Sequence, residues 1–271
     1  MINTSLKSGF FGILGIPIGR LVMLSQQLKG NNIKNLRAGG NMLIPIRDDN
    51  PTRRFPIITI SLIAINIAVF VYTLSLPTEQ ALMQFYNSFA LFPKAIVTGT
   101  PVTPNSIQPV YLTLITSMFL HGGFLHIAFN MLFLWIFGNN VEDFFGRFRF
   151  LVFYLLAGIG GSLLQIAFDP NSTIPNIGAS GAISGVLAAY LILYPSARVL
   201  TVIPIIFFIE IIRIPAVILI GFWFLLQILS AVFISSGTGG GVAYLAHIGG
   251  FIAGLIMTLL APRRRHRRYT G

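Results

Sequence analysis

Gly178-Ala-Ser-Gly-Ala-Ile-Ser-Gly185-Val-Leu-Ala-Ala-Tyr-Leu-Ile-Leu-Tyr194 opens on small residues, sets Ser180 among glycines and continues as an apolar run that stops at Pro195. Read as a helix, this segment puts Gly181 and Gly185 on one face, four residues apart. Small residues let helix backbones approach closely, so a packing seam formed by Gly178, Gly181 and Gly185 is the plain reading. A second reading is chemical. Glycine two residues before and one residue after Ser180 permits a tight turn into the helix. That turn exposes the hydroxyl and leaves backbone N–H groups at the helix start able to bind an anion.

Working outward, the composition indicates a membrane protein. Of 271 residues, 55% are hydrophobic and 9% charged, against about 25% charged in a soluble domain. The net charge is +11, but no basic face interleaved with aromatics appears, so a nucleic-acid partner is not expected. The absence of cysteine excludes disulfides, thiolate catalysis and thiolate metal sites.

A span needs roughly 20 mostly apolar residues. Six candidates follow, at about 55–76, 124–141, 148–168, 180–194, 214–233 and 242–261. The fold class expected is therefore an all-α polytopic membrane protein, a bundle of six transmembrane helices. The fourth candidate is short and need not cross fully if it starts in a protein-lined cavity. On alternating sides, one set of loops holds Arg47, Arg53, Arg54, Arg147, Arg149, Arg198 and Arg213 together with the Arg-rich tail. The opposite set holds only Lys94, which places both termini in the cytoplasm. The long connection from Pro77 to Gly123 then lies outside. Its apolar content (Phe85, Tyr86, Phe89, Leu91, Phe92) suits the membrane interface. Val110 to Leu120 reads as a helical piece, and Val199 to Ile209, with Pro204, as a cytoplasmic connector.

Three segments are expected: a basic extension over residues 1–41, a six-span domain over 42–261 and an Arg-rich cytoplasmic tail over 262–271. The extension has five Lys or Arg and no acid, which fits a targeting segment or a start codon assigned upstream of Met42. The tail fits an anchor on anionic lipid. A bacterial-type plasma membrane is the expected location, or an organelle membrane if the extension is a transit peptide. Oligomeric state is not encoded in any motif.

Polar groups at membrane depth are functional candidates. The chain has four histidines, of which His121, His126 and His247 lie in or beside apolar stretches. His247 begins the pattern His-Ile-Gly-Gly-Phe-Ile-Ala-Gly254, with Gly250 and Gly254 on its own helical face. Two small-residue grooves, one beside Ser180 and one beside His247, favour direct packing of their helices and bring hydroxyl and imidazole together. His247 then reads as a general base, or alternatively as a satisfied structural histidine. His126 and Asn130 stack one turn apart and could stabilise an oxyanion or form a structural network. No metal or other cofactor is expected, because no HExxH pattern occurs and few carboxylates lie nearby. All seven acids fall in loops or at span ends, so the expected arrangement is a Ser–His dyad with the His247 ring fixed by packing.

Taken in order, His121-x4-His126-x3-Asn130, Gly178-Ala-Ser180-Gly181 and Ala246-His247-x2-Gly250-x3-Gly254 resemble the rhomboid intramembrane serine proteases. The similarity runs from about Met42 to Ala261 and includes Trp135-Ile-Phe-Gly-Asn-Asn-Val-Glu-Asp143. The resemblance implies a six-helix bundle with a cavity open to the non-cytoplasmic side. It implies Ser180 as nucleophile, His247 as general base and then acid, and an oxyanion hole from His126, Asn130 and the Ser180 N–H, with His121 nearby. It further implies membrane-protein substrates cleaved in or beside a transmembrane helix. Two departures stand out: Ser184 occupies the place of an aromatic on which the imidazole stacks in some members, and the Trp-Arg pair some members carry in the first outer loop has no match. A catalytically dead scaffold and a transporter are the rival readings. Retention of Ser180 and His247 speaks against the first, and the absence of repeated halves and of a membrane-embedded acid against the second.

Overall fold

The computed structural model describes residues 43–205, 208–234 and 243–262, so the basic extension and nearly all of the Arg-rich tail lie outside the described residues. The first described element is strand β1 (Ile44–Asp48). Three helices follow: α1 (Ile57–Ser75), α2 (Phe124–Phe145) and α3 (Arg147–Phe168). Then come α4 (Ser180–Leu193), a hairpin of β2 (Arg198–Ile205) and β3 (Phe208–Pro215), α5 (Ala216–Ile234) and α6 (Tyr244–Leu260). By length and composition, α1, α2 and α3 are apolar enough to cross a membrane, whereas the apolar helices α4, α5 and α6 fall short of that test among the described residues. Outward-facing residues such as Ile65, Val71, Leu156, Leu163, Ile256 and Leu259 are exposed and apolar, a surface that suits lipid and not water.

Local sequence sets the helix ends. Gly146, at φ 78°, stops α2 in a left-handed turn that leads straight into α3. Tyr194 precedes Pro195, which disfavours helical geometry at that position and terminates α4. Every residue from Gly181 to Tyr190 is buried, because α2, α3 and α6 surround α4. A helix apolar on all sides belongs in such a position.

The wall of this arrangement is a glycine seam. A Cβ at Gly250 would overlap the carbonyl of Gly181, and one at Gly254 would overlap the backbone of Gly185. Helices α4 and α6 therefore touch backbone to backbone. Gly161 of α3 meets the Ala246 carbonyl, and Gly249 lies against Gly160, so α6 is held on two sides. Gly178 is a correction to its grouping with the packing glycines. It stands before α4 with φ 122° and shapes the turn into the helix.

An all-helical chain was expected, and a three-stranded antiparallel sheet in the order β1-β2-β3 corrects this. The stretch read as a connector is mostly strand β2. Pro204 misleads a reader here, since proline cannot donate to a ladder. It is tolerated because β1 pairs with β2 only over Val199–Val202, leaving Pro204 beyond the short strand and opposite Ile209 alone. The sheet is tied to α4 at the end away from Ser180: Tyr190 Oη donates to Asp48 Oδ2 at 2.6 Å. Burial pushes the Asp48 carboxyl above the usual carboxylate range.

Glu142 performs a capping role across helices. The N-cap of α1 is Pro56, which has no side chain to accept from the first turn. From the end of α2, Glu142 accepts from Ile58 N (3.0 Å), Thr59 N (2.8 Å) and Thr59 Oγ1 (2.8 Å) and is 3% exposed. A carboxylate there satisfies orphan donors and complements the helix dipole. Glu142→Ala leaves these buried donors unpaired and is expected to destabilise the fold by roughly 2–4 kcal/mol. Thermal unfolding in detergent measures this, and an unchanged midpoint would refute the capping role.

The segment between α1 and α2 folds into short helices, Glu79–Phe89, Pro93–Thr98 and Val110–Phe119. Ala90, Phe92, Ala95, Val110 and Leu120 form a separate small core. Phe92 is thus buried within the loop itself, so part of the segment's apolar character serves internal packing and not the interface. Backbone bonds between Leu91 and Asn176 (3.2 and 2.7 Å) fasten this segment to the turn before α4.

Candidate active site

Ser180 is the first residue of α4. Gly178 N donates to Ser117 O at 2.9 Å, anchoring the turn, and the positive φ of Gly178 swings the chain into the helix. The first bond of α4 at this end runs from Ile183 N to Ala179 O, so the N–H groups of Ser180 and Gly181 have no carbonyl partner within their helix. Across the glycine seam, His247 lies in the first turn of α6 and is 8% exposed. Its Nε2 is 2.7 Å from Ser180 Oγ.

His126 lies on the other side of the turn. A Cβ at Gly178 would come within 2.7 Å of His126 Nε2 and 3.7 Å of Ser180 Oγ. Only glycine leaves room for the imidazole beside the hydroxyl. Asn130 Nδ2 donates to His126 O at 3.0 Å, which uses one amide hydrogen and leaves the second for another acceptor. The His121 ring is buried and meets His126 edge-on, with centroids 4.9 Å apart. Tyr86 Oη, from the loop helices, donates to His121 O at 2.7 Å. Among the described hydrogen bonds none joins His126, Asn130 or His121 to Ser180. Of the four polar candidates, the described hydrogen bonds join only His247 to the serine hydroxyl.

The support of the His247 ring was not foreseen. Ser184, in the place where an aromatic was sought, donates to Ser180 O at 2.6 Å and stays within its own helix. Helix α5 supplies the neighbours instead. Gln227 Oε1 is 2.8 Å from His247 Nδ1, and the Trp223 ring lies 6.0 Å from the imidazole at 35°. Tyr244 meets the imidazole edge-on at 6.4 Å. The acids lie in loops or at span ends, so the sequence points to packing alone for the ring. The available signal was a lone amide in an apolar helix, since polar groups at such positions are expensive.

The site thus consists of a hydroxyl at a helix start bonded to an imidazole on a neighbouring apolar helix, with further histidines close by. The Rhomboid domain family matches residues 108–264, more than half of the chain. The chain belongs to the rhomboid family, and is an integral membrane protein of that family. It is 46% identical to the rhomboid protease GluP of Bacillus subtilis over 91 residues, 34% of this chain and 17% of that protein. To Rhomboid protein 1, mitochondrial, of Saccharomyces cerevisiae it is 31% identical over 144 residues, 52% of this chain and 37% of that protein. To the rhomboid protease AarA of Providencia stuartii it is 29% identical over 148 residues, half of each. The chain thus spans half or less of the length of these relatives.

Proposed function

We propose that the chain is an intramembrane serine endopeptidase that hydrolyses peptide bonds in or next to transmembrane segments of membrane proteins. The observation that carries this reading is the 2.7 Å contact between Ser180 Oγ and His247 Nε2 across α4 and α6. Two of the relatives described above are named as proteases, which supports the same class.

In the reaction Ser180 Oγ attacks the scissile carbonyl while His247 Nε2 takes its proton. The tetrahedral oxyanion is held by the Ser180 N–H with His126 and the second Asn130 amide hydrogen, and His121 steadies His126. His247 then protonates the leaving amine, and water hydrolyses the acyl-enzyme by the same steps in reverse. Helices α1 to α6 form six spans of one domain over residues 42–261. At about 21 Å, the 14 residues of α4 are shorter than a bilayer core of about 30 Å. Ser180 therefore starts its helix below the membrane surface. The basic loops and the sheet face the cytoplasm, as do both termini, including the 262–271 tail. The location is a bacterial-type plasma membrane, with residues 1–41 as an extension to the domain.

The test is labelling of detergent-solubilised protein with a fluorophosphonate probe, which reacts only with an activated serine. Wild type is expected to label and Ser180→Ala to lose the label completely. A folded wild type that fails to label in detergent and again in lipid would replace this reading with a client-binding scaffold.

A further inference from the structure

We infer that Gln227 is a positioning residue of the active site, a neutral third member that holds His247 in the tautomer able to accept the serine proton. This inference rests on the proposed hydrolysis and adds to it a residue on a helix that carries no part of the serine and histidine motifs.

The argument starts from hydrogen-bond direction. The Gln227 amide has one acceptor oxygen and one donor nitrogen. Its Nε2 donates to Trp223 O, one turn back on α5, at 3.3 Å. That bond orients the amide and leaves Oε1 facing His247 Nδ1 at 2.8 Å. Since Oε1 only accepts, Nδ1 must carry the hydrogen. A neutral imidazole has one N–H, so Nε2 presents its lone pair to Ser180 Oγ at 2.7 Å. The hydroxyl then donates to Nε2, which is the direction a general base requires. With the opposite tautomer Nε2–H would point at the serine and no proton could be taken from it.

The setting supports a purpose for the amide. Helix α5 is otherwise almost wholly apolar (Ala216-Val-Ile-Leu-Ile-Gly-Phe-Trp-Phe-Leu-Leu-Gln-Ile-Leu-Ser-Ala-Val-Phe-Ile234). Trp223 and Gln227 are four residues apart and share a face. That face supplies both a ring beside the imidazole and the acceptor for its Nδ1. A triad carboxylate orients the imidazole and also stabilises the imidazolium. An amide performs the first task without placing a charge among apolar helices. The consequence is a dependence of the base on α5: any displacement of that helix that breaks the Oε1–Nδ1 bond removes the tautomer preference while leaving Ser180 and His247 on their own helices.

The experiment combines spectroscopy and kinetics on the full chain in detergent. With [15N]histidine there are four imidazoles to observe, and the His247 signals are assigned by their loss in His247→Asn. Wild type is expected to show a protonated Nδ1 and an unprotonated Nε2. Gln227→Leu, which keeps the side chain's bulk and suits an apolar helix, is expected to give a mixture of tautomers. It should lower kcat for a transmembrane peptide by about 10- to 100-fold with KM changed by less than about twofold, the pattern of lost transition-state support. Gln227→Glu restores an acceptor and should return the single tautomer and most of kcat, a rescue that a merely structural helix contact would not give. A wild-type spectrum with Nε2 protonated overturns the inference without any variant. So does Gln227→Leu with wild-type kcat. Failure of the underlying hydrolase reading would show separately, as a wild type that does not label at Ser180.

Discussion

His247→Ala is expected to lower kcat by on the order of 10⁶-fold, and adding Ser180→Ala to it should lower the rate hardly further. The reason is that the two side chains form one device. Ser180 Oγ and His247 Nε2 share a hydrogen bond of 2.7 Å, and in the proposed mechanism the hydroxyl becomes a nucleophile only as the imidazole takes its proton. Remove the base and the hydroxyl keeps its ordinary, poor reactivity; remove the hydroxyl and the base has nothing to activate. Either loss is therefore nearly the whole loss. In the proposed mechanism the residual rate comes from the oxyanion donors and substrate binding. The measurement is single-turnover cleavage of a transmembrane peptide in proteoliposomes by the two single variants and the double. Multiplying losses would mean that the residues act independently, and would end the description of them as a unit.

Gly250→Val should be the most damaging apolar substitution in the bundle, costing about 3 kcal/mol or more of stability and abolishing activity with it. The obstacle is backbone. A Cβ at Gly250 would collide with the Gly181 carbonyl, one residue from Ser180, and a peptide group cannot rotate out of the way as a side chain can. Helix α6 must then move off α4, which pulls His247 away from Ser180 while breaking the contacts of Gly254 with Gly185 and Gly249 with Gly160. Gly221 on α5 is the internal control, since nothing lies within 4 Å of its Cβ position. Gly221→Ala should be neutral or stabilising by up to about 1 kcal/mol through helix propensity. Thermal unfolding of both variants in one detergent tests the seam, and equal midpoints would refute it.

Much of the helical framework was readable because membrane helices are constrained by their own composition. The starts expected at Phe124 and Ser180 are the starts observed, and the other four lie within two residues of the observed helices. Single polar residues stand out against apolar spans, which made Ser180, His126, Asn130 and His247 visible as candidates before any contact was known. The hairpin was missed for an opposite reason. Apart from Arg198, Thr201, Glu210 and Arg213 its residues are apolar like those of the spans, and β1 is separated from β2 by some 150 positions of chain.

The sequence by itself determined the membrane class, the starts of the six long helices to within two residues, the positive-inside asymmetry and the candidate residues, since all of these follow from what each segment is made of. Only the tertiary structure decided which groups meet. Nothing in the spacing from Gln227 to His247 or from Gly178 to His126 announces a contact, because these residues come from different segments and their distances are set by packing. The depth of the glycine seam brings α6 close enough for one hydrogen bond, and the rotation of α5 turns an unremarked amide toward the imidazole. Composition can say that a polar group in an apolar helix needs a partner, while the identity of that partner is a property of the packed bundle.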